Sequence, residues 1–179
     1  MITILSGGVH GGKTTLIQKS LSRWASLGFR FRGFLSLGVR GPDGTVEYDF
    51  LDLNDGRRLP FLRRSGGAGW EHVGPFFFVP ETLEAARAVI GRAAAGEVLV
   101  VDEVGPLELA HGGLWPALSE VVFETGHKTL LVAREDILED LFRLLGTTVP
   151  LIVDAADPNA PRLLDQTLFG PAKPREDQG

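Results

Sequence analysis

The 179-residue sequence has no cysteine. That excludes disulfides, zinc–thiolate sites and thiol nucleophiles. No apolar run approaches the ~20 residues of a membrane span. Basic residues are outnumbered by acidic ones, 18 against 23, for a formal charge of −5. A surface built for unspecific nucleic-acid binding needs clustered Lys and Arg, so nucleic acid is not an expected partner, although a local basic groove stays open. His72, His111 and His127 are too scattered for a metal site. There is no internal repeat. The sequence opens directly on a strand and a glycine-rich loop, so no signal peptide is expected, and a soluble cytoplasmic protein is the default. Hydrophobic residues make up 44% and charged residues 23%, ordinary globular usage. One domain over 1–168 is expected, with 169–179, rich in Pro and charge, as a disordered tail.

What is present is concentrated in Gly7-Gly8-Val9-His10-Gly11-Gly12-Lys13-Thr14, which fits the phosphate-loop pattern G-x-x-x-x-G-K-[ST] without a mismatch. Ile2, Ile4 and Leu5 precede it as an apolar strand, and Leu16, Ile17, Leu21 and Trp24 follow at helical spacing. A strand that stops at a glycine turn and restarts as a helix aims backbone N–H groups and a positive helix end at one point. That point suits a di- or triphosphate. The expected binding set is Gly7, Gly8, Val9, His10, Gly11, Gly12, Lys13, Thr14 and Thr15. Lys13 supplies a point charge on the β/γ-phosphates, and the Thr14 hydroxyl ligates Mg²⁺.

Downstream, a helix is expected over Lys13 to Leu27, with Gly28 as its stop. Arg32 to Arg40, Thr45 to Leu53 and Arg57 to Arg64 read as strands separated by Gly41-Pro42-Asp43-Gly44 and Asn54-Asp55-Gly56. They form an antiparallel hairpin or meander inserted at about 31–64. Ser65 to Gly69 is a joint, Phe76 to Val79 a buried strand, and Pro80 starts a helix through Ala95. Val98 to Val101 is a continuous apolar strand, covered on both faces. Helix Trp115 to Thr125, strand Thr129 to Ala133, helix Asp136 to Leu145, strand Val149 to Val153 and helix Asn159 to Leu168 continue the alternation. The fold class is α/β: a mostly parallel phosphate-loop sheet with helices on both faces and the antiparallel insert beside it.

A phosphate loop needs an acidic partner at the C-terminal end of a buried strand. Val98 to Val101 leads into Asp102-Glu103. Asp102 is placed to hold Mg²⁺ with Thr14, and Glu103 to polarise an attacking water. Solvated turn residues are the plainer alternative. Arg134, just past a strand, is a candidate to stabilise the γ-phosphate in cis, set against a surface turn with Glu135.

With these residues in view, the chain resembles the small nucleoside-triphosphatases of bacteria and archaea, a family that includes the vertebrate cancer-related nucleoside-triphosphatase. The resemblance rests on GGVHGGKTTL at Gly7 to Leu16, GFLSLGVR at Gly33 to Arg40 and VVDEVGPLEL at Val100 to Leu109. It implies Mg²⁺-dependent hydrolysis of ATP, GTP and similar nucleotides to diphosphate and phosphate. It also implies phosphates around Lys13, metal near Thr14 and Asp102, and the hydrolytic role on Glu103. An extra strand, either Phe76 to Val79 or Thr129 to Ala133, is implied between the two nucleotide-binding strands. The sequence departs from the family at His10 (usually glycine), at Leu37 and Gly38 (usually acids) and at Pro106 (often lysine).

Glu108 matches the family's second acid, and either orients Glu103 or the metal's water shell, or caps the next segment. Arg57, Arg58, Arg63 and Arg64 read as a solvated strand face or, functionally, as a lid over phosphates. Trp70, Trp115 and Phe76 to Phe78 read as packing. No N-K-x-D string occurs, so the guanine-reading device of signalling GTPases is missing. Two other readings stand beside hydrolysis: a nucleotide or small-molecule kinase, and a nucleotide-gated interaction module with slow turnover.

Overall fold

The computed structural model describes residues 1–9, 11–41, 44–124 and 126–170; of Thr45 and Val46 it describes the backbone only. His10 and the 171–179 part of the expected tail lie outside the described residues. The elements run β1 (Ile2–Gly7), α1 (Lys13–Ser26), β2 (Phe31–Gly41), β3 (Gly44–Asp52), β4 (Arg58–Arg63), β5 (His72–Val73), β6 (Phe76–Phe78), α2 (Pro80–Ile90), β7 (Val98–Val104), α3 (Pro106–Leu109), α4 (Trp115–Val122), β8 (Lys128–Arg134), α5 (Leu138–Leu145), β9 (Leu151–Asp154) and α6 (Ala160–Phe169). Among the described residues no helix is long and apolar enough to cross a membrane.

The strands form one nine-stranded sheet, in the order β5-β6-β4-β3-β2-β7-β8-β1-β9. It is mixed, so the expectation of a mostly parallel sheet holds only in part. β2, β7, β8, β1 and β9 pair in parallel, while β3, β4, β6 and β5 continue the sheet antiparallel from the far side of β2. The physical cause is short connection: β3 reaches β4 through Leu53 to Arg57 and β5 reaches β6 through Gly74-Pro75, far fewer residues than a parallel crossover needs. The antiparallel part extends to Phe78, beyond the expected insert. The extra strand between β1 and β7 is β8, and Phe76 to Phe78 belongs to the annex instead.

Alternation along the central strands feeds two cores. Val98 and Val100 of β7, with Leu130 and Val132 of β8, face Ile17, Leu21 and Trp24 of α1 and Leu164 and Leu168 of α6. Leu99 and Val101, with Leu131 and Ala133, face α2, α4 and α5. Strands buried on both faces need the continuous apolar runs seen in the sequence. The annex is fastened to the second core by a row of aromatic rings, Phe34, Phe50, Phe61 and Phe78, with neighbouring centroids 5.0 to 5.9 Å apart. Such pairs contribute about 0.5–1.5 kcal/mol each beyond their buried area.

Several boundaries differ from expectation. The helix after Pro80 stops at Ile90 with Gly91 as its C-cap, short of the alanine-rich stretch. The segment after β8 opens as a 3₁₀ turn, Glu135–Ile137, before α5.

Candidate active site

β1 delivers Gly7 and Gly8 to the C-terminal edge of the sheet, and the chain curls back so that the Gly11 amide donates to the Gly8 carbonyl at 3.0 Å. Gly12 follows in the left-handed region, φ +79°, a conformation that costs an L-residue and not glycine. α1 starts at Lys13 with no side-chain cap and no acid in its first turn. The amides of that turn have no acceptor within the helix. An array of free N–H groups at a positive helix end is an anion site.

The loop is stitched by its own lysine. Lys13 is buried, and its Nζ donates to Gly7 O at 3.0 Å and Gly8 O at 2.9 Å. The same Nζ lies 3.7 Å from Glu103 Oε2. Thr14, half-buried, donates from Oγ1 to Asp102 Oδ2 at 3.0 Å across 88 residues of sequence. Thr15 is exposed, as is Val9 at 63%. The structure therefore brings Lys13, Thr14, Asp102 and Glu103 together at one sheet edge.

Asp102 is 1% exposed. Burial pushes its carboxyl up to about 7; Glu103 adds to the rise, while the Thr14 hydroxyl, the Ser36 amide and Lys13 oppose it. Glu103 is also raised by burial, against the pull of Lys13 and Arg134. A buried acid with too little positive charge around it suits a cation. Among the described residues no cluster of three or more His, Asp or Glu could cage a metal. Thr14 and Asp102 supply one hydroxyl and one carboxylate, the few-ligand set that Mg²⁺ accepts when phosphate oxygens and water complete its shell. The donors fit.

Arg134 ends β8 in register with Gly7, its Nε 3.4 Å from Asp136 Oδ1. It borders the loop, and its charge is felt at Glu103. Glu108 is 2% exposed and accepts from Gly105 N at 2.8 Å and Leu114 N at 3.0 Å. Its geometry is that of a backbone cap. Of the annex arginines, Arg58 and Arg63 pair with Asp49 at 3.5 and 2.6 Å, and Arg64 sits over the Phe76 ring at 5.3 Å. Three of the four thus contact their own sheet, two of them through ion pairs.

Sequence reasoning missed two annex contributions. The Ser36 amide of β2 points at Asp102 Oδ2, 3.4 Å away. Tyr48 of β3, paired with Gly38, carries a phenol raised first by burial, then by Glu103 and Asp102. No local pattern marks either one. Only the parallel register of β2 on β7, Phe34 beside Val101, raises the hairpin past the acids.

Comparison with known proteins follows the same outline. The family model NTPase_1, described as NTPase, matches residues 2–151. This chain belongs to that family. A nucleoside-triphosphatase THEP1 from Hyperthermus butylicus is 30% identical over 132 residues, 74% of this chain and 70% of the relative. The solution structure of a human cancer-related nucleoside triphosphatase superimposes with a TM-score of 0.68 at 25% identity, covering 92% of this chain and 93% of that one. The crystal structure of THEP1 from Aquifex aeolicus shares the fold, with a TM-score of 0.73 at 21% identity over 94% of this chain and 99% of that one.

Proposed function

We propose that this NTPase-family chain is a Mg²⁺-dependent nucleoside-triphosphatase acting on ATP, GTP and related nucleotides, built as one domain over 1–168 and working in the cytoplasm. It hydrolyses nucleoside triphosphates to diphosphate and phosphate. The observation that carries the site assignment is the 3.0 Å hydrogen bond from Thr14 to Asp102, which joins the phosphate loop to the acidic strand end.

In this reading the amides from Gly8 to Thr15 hold the β- and γ-phosphates, and Lys13 exchanges loop carbonyls for phosphate oxygens. Charged donors hold phosphate about twice as strongly as neutral ones. Thr14 and Asp102 hold Mg²⁺, which when bound neutralises charge on the phosphate oxygens. Glu103 orients a water and takes its proton as the water oxygen bonds to Pγ and the bond from Pγ to the bridging oxygen breaks. Its raised carboxyl is a stronger base than an exposed glutamate. Arg134 is the candidate for the remaining charge on the γ-phosphate. Positioning and electrostatics supply the acceleration, because phosphoryl transfer asks for little covalent chemistry.

The test is phosphate release from a panel of nucleoside triphosphates, with and without magnesium, and with nucleosides or monophosphates added. Release that needs magnesium and ignores acceptors is expected. Phosphate appearing only on an added acceptor would make the protein a kinase.

A further inference from the structure

The loop that leaves Glu103 is held by side chains outside the phosphate- and metal-binding set proposed above. Gly113 is the key point. Its N–H donates to Glu71 Oε2 at 2.6 Å, and its carbonyl accepts from Arg87 Nε at 2.7 Å. Arg87 Nη2 closes the triangle on Glu71 Oε1 at 2.6 Å. One residue is therefore gripped at both of its backbone polar atoms, in the two peptide units that flank its Cα, by an ion pair whose members come from the annex and from α2.

The grip is passed on. Leu114, the next residue, donates to Glu108 Oε1, and Glu108 Oε2 accepts from Gly105 N, two residues past Glu103. Gly113 has φ +57°, and a Cβ there would stand 2.2 Å from Glu108 Oε1. Only glycine lets the Glu108 carboxylate lie so close to the braced peptide. Arg87 is 22% exposed and Glu71 35%, so this is a half-buried fork and not a loose surface pair.

We infer that Glu71 and Arg87 are positioning residues for hydrolysis: by fixing the backbone on both sides of the Gly113 Cα against Glu108 they set the path of the 103–114 loop, and with it the place of Glu103. The inference rests on the proposed role of Glu103. Arg is required in this geometry, since its fork spans a carbonyl and a carboxylate at once and a lysine ammonium does not. A misplacement of about 1 Å in a catalytic group can cost around a hundredfold in rate.

The experiment compares wild type with R87A, R87K, E71Q and E84A, each also made on E103Q. Readouts are kcat and KM for Mg–ATP and the affinity for a non-hydrolysable ATP analogue. R87A and E71Q are expected to lose about tenfold or more in kcat, with KM and analogue affinity within about twofold. R87K should not restore the rate. E84A removes only the exposed partner of Arg87 and should match wild type. On E103Q the brace substitutions should cost nothing further. If R87A and E71Q keep full kcat, if affinity falls in step with rate, or if their loss persists undiminished on E103Q, the inference is overturned. Should R87A fail to fold, E71Q, which keeps an acceptor and the same volume, decides alone. Failure of the underlying reading looks different: wild type would release no phosphate, or E103Q would turn over normally.

Discussion

Lys13 Nζ lies between the carbonyls of its own loop and the carboxylate of Glu103, 3.7 Å from Oε2. One ammonium thus shapes the loop and restrains the proposed base, so its removal and the removal of Glu103 should have separable effects. Lys13→Ala removes charge-assisted contacts each worth about 1.5–3 kcal/mol. Affinity for Mg–ATP is expected to fall about ten- to a hundredfold, and turnover with it. Glu103→Gln keeps the shape and the phosphate contacts. It should bind Mg–ATP within a few-fold of wild type, yet lose about 10²–10⁴ in kcat. Equilibrium binding beside single-turnover hydrolysis checks both; unchanged turnover in Glu103→Gln would remove that residue from the mechanism.

Asp102 makes stability depend on pH in an unusual direction. Its carboxyl is pushed from 3.8 to about 7 by burial. The folded protein keeps a proton that the unfolded chain has already released, so the group's contribution is full below about pH 4 and is lost as pH rises toward 7. An ion-paired carboxylate would do the reverse. Asp102→Asn mimics the protonated form and removes this loss. Nucleotide-free Asp102→Asn should therefore melt higher than wild type at pH 8, by up to roughly 4 kcal/mol in stability, and nearly with it at pH 4. Thermal denaturation at the two pH values reads this. A gain that is absent, or equal at both, would show that Asp102 is not held neutral by burial.

How much of this was legible in the chain follows from the range of the forces involved. The strand, loop and helix around Lys13 are local, and composition with periodicity announces them. The acids after Val101 are local too. Whether β8 or β6 lies between β1 and β7 depends on parallel pairing across long crossovers, and no turn residue encodes that. Phe76 to Phe78 has the all-apolar texture of a central strand, yet Phe78 packs on Phe61 while Phe76 meets Tyr48 and Arg64 at the annex edge. Likewise Glu71 and Arg87 look like solvated charges in sequence. Their value lies in a contact with Gly113, 42 and 26 residues away.

Distant from the chemistry, Asp165 of α6 should matter for stability alone. It accepts from both terminal nitrogens of Arg23, at 2.5 and 2.6 Å, and from the Trp24 indole Nε1 at 2.6 Å. Trp24 is 1% exposed. Asp165→Ala would leave its buried N–H without an acceptor, a cost of about 1–3 kcal/mol. The expected result is a lower Tm with kcat and KM for Mg–ATP unchanged below the melting range. A wild-type Tm would mean that Trp24 needs no acceptor there.

Arg134 offers the sharpest choice. β8 sits between β1 and β7, so its last residue emerges beside Gly7 and across from Glu103, where a γ-phosphate would meet both. At rest the guanidinium is only loosely committed: Asp136 is 61% exposed and 3.4 Å away, a pair worth about 0–1 kcal/mol. Such a contact yields readily to a phosphate. If the arginine acts in cis, Arg134→Ala should lower kcat by about 10³ or more while Mg–ATP affinity changes little, since the contact strengthens as charge shifts in the transition state. Arg134→Lys should recover little, because a point charge cannot take two phosphate oxygens in one plane. Asp136→Asn serves as the control: if the ion pair is merely a surface turn, it and Arg134→Ala will both hydrolyse at the wild-type rate. Single-turnover rates for the three variants, measured at saturating Mg–ATP, decide between the two roles.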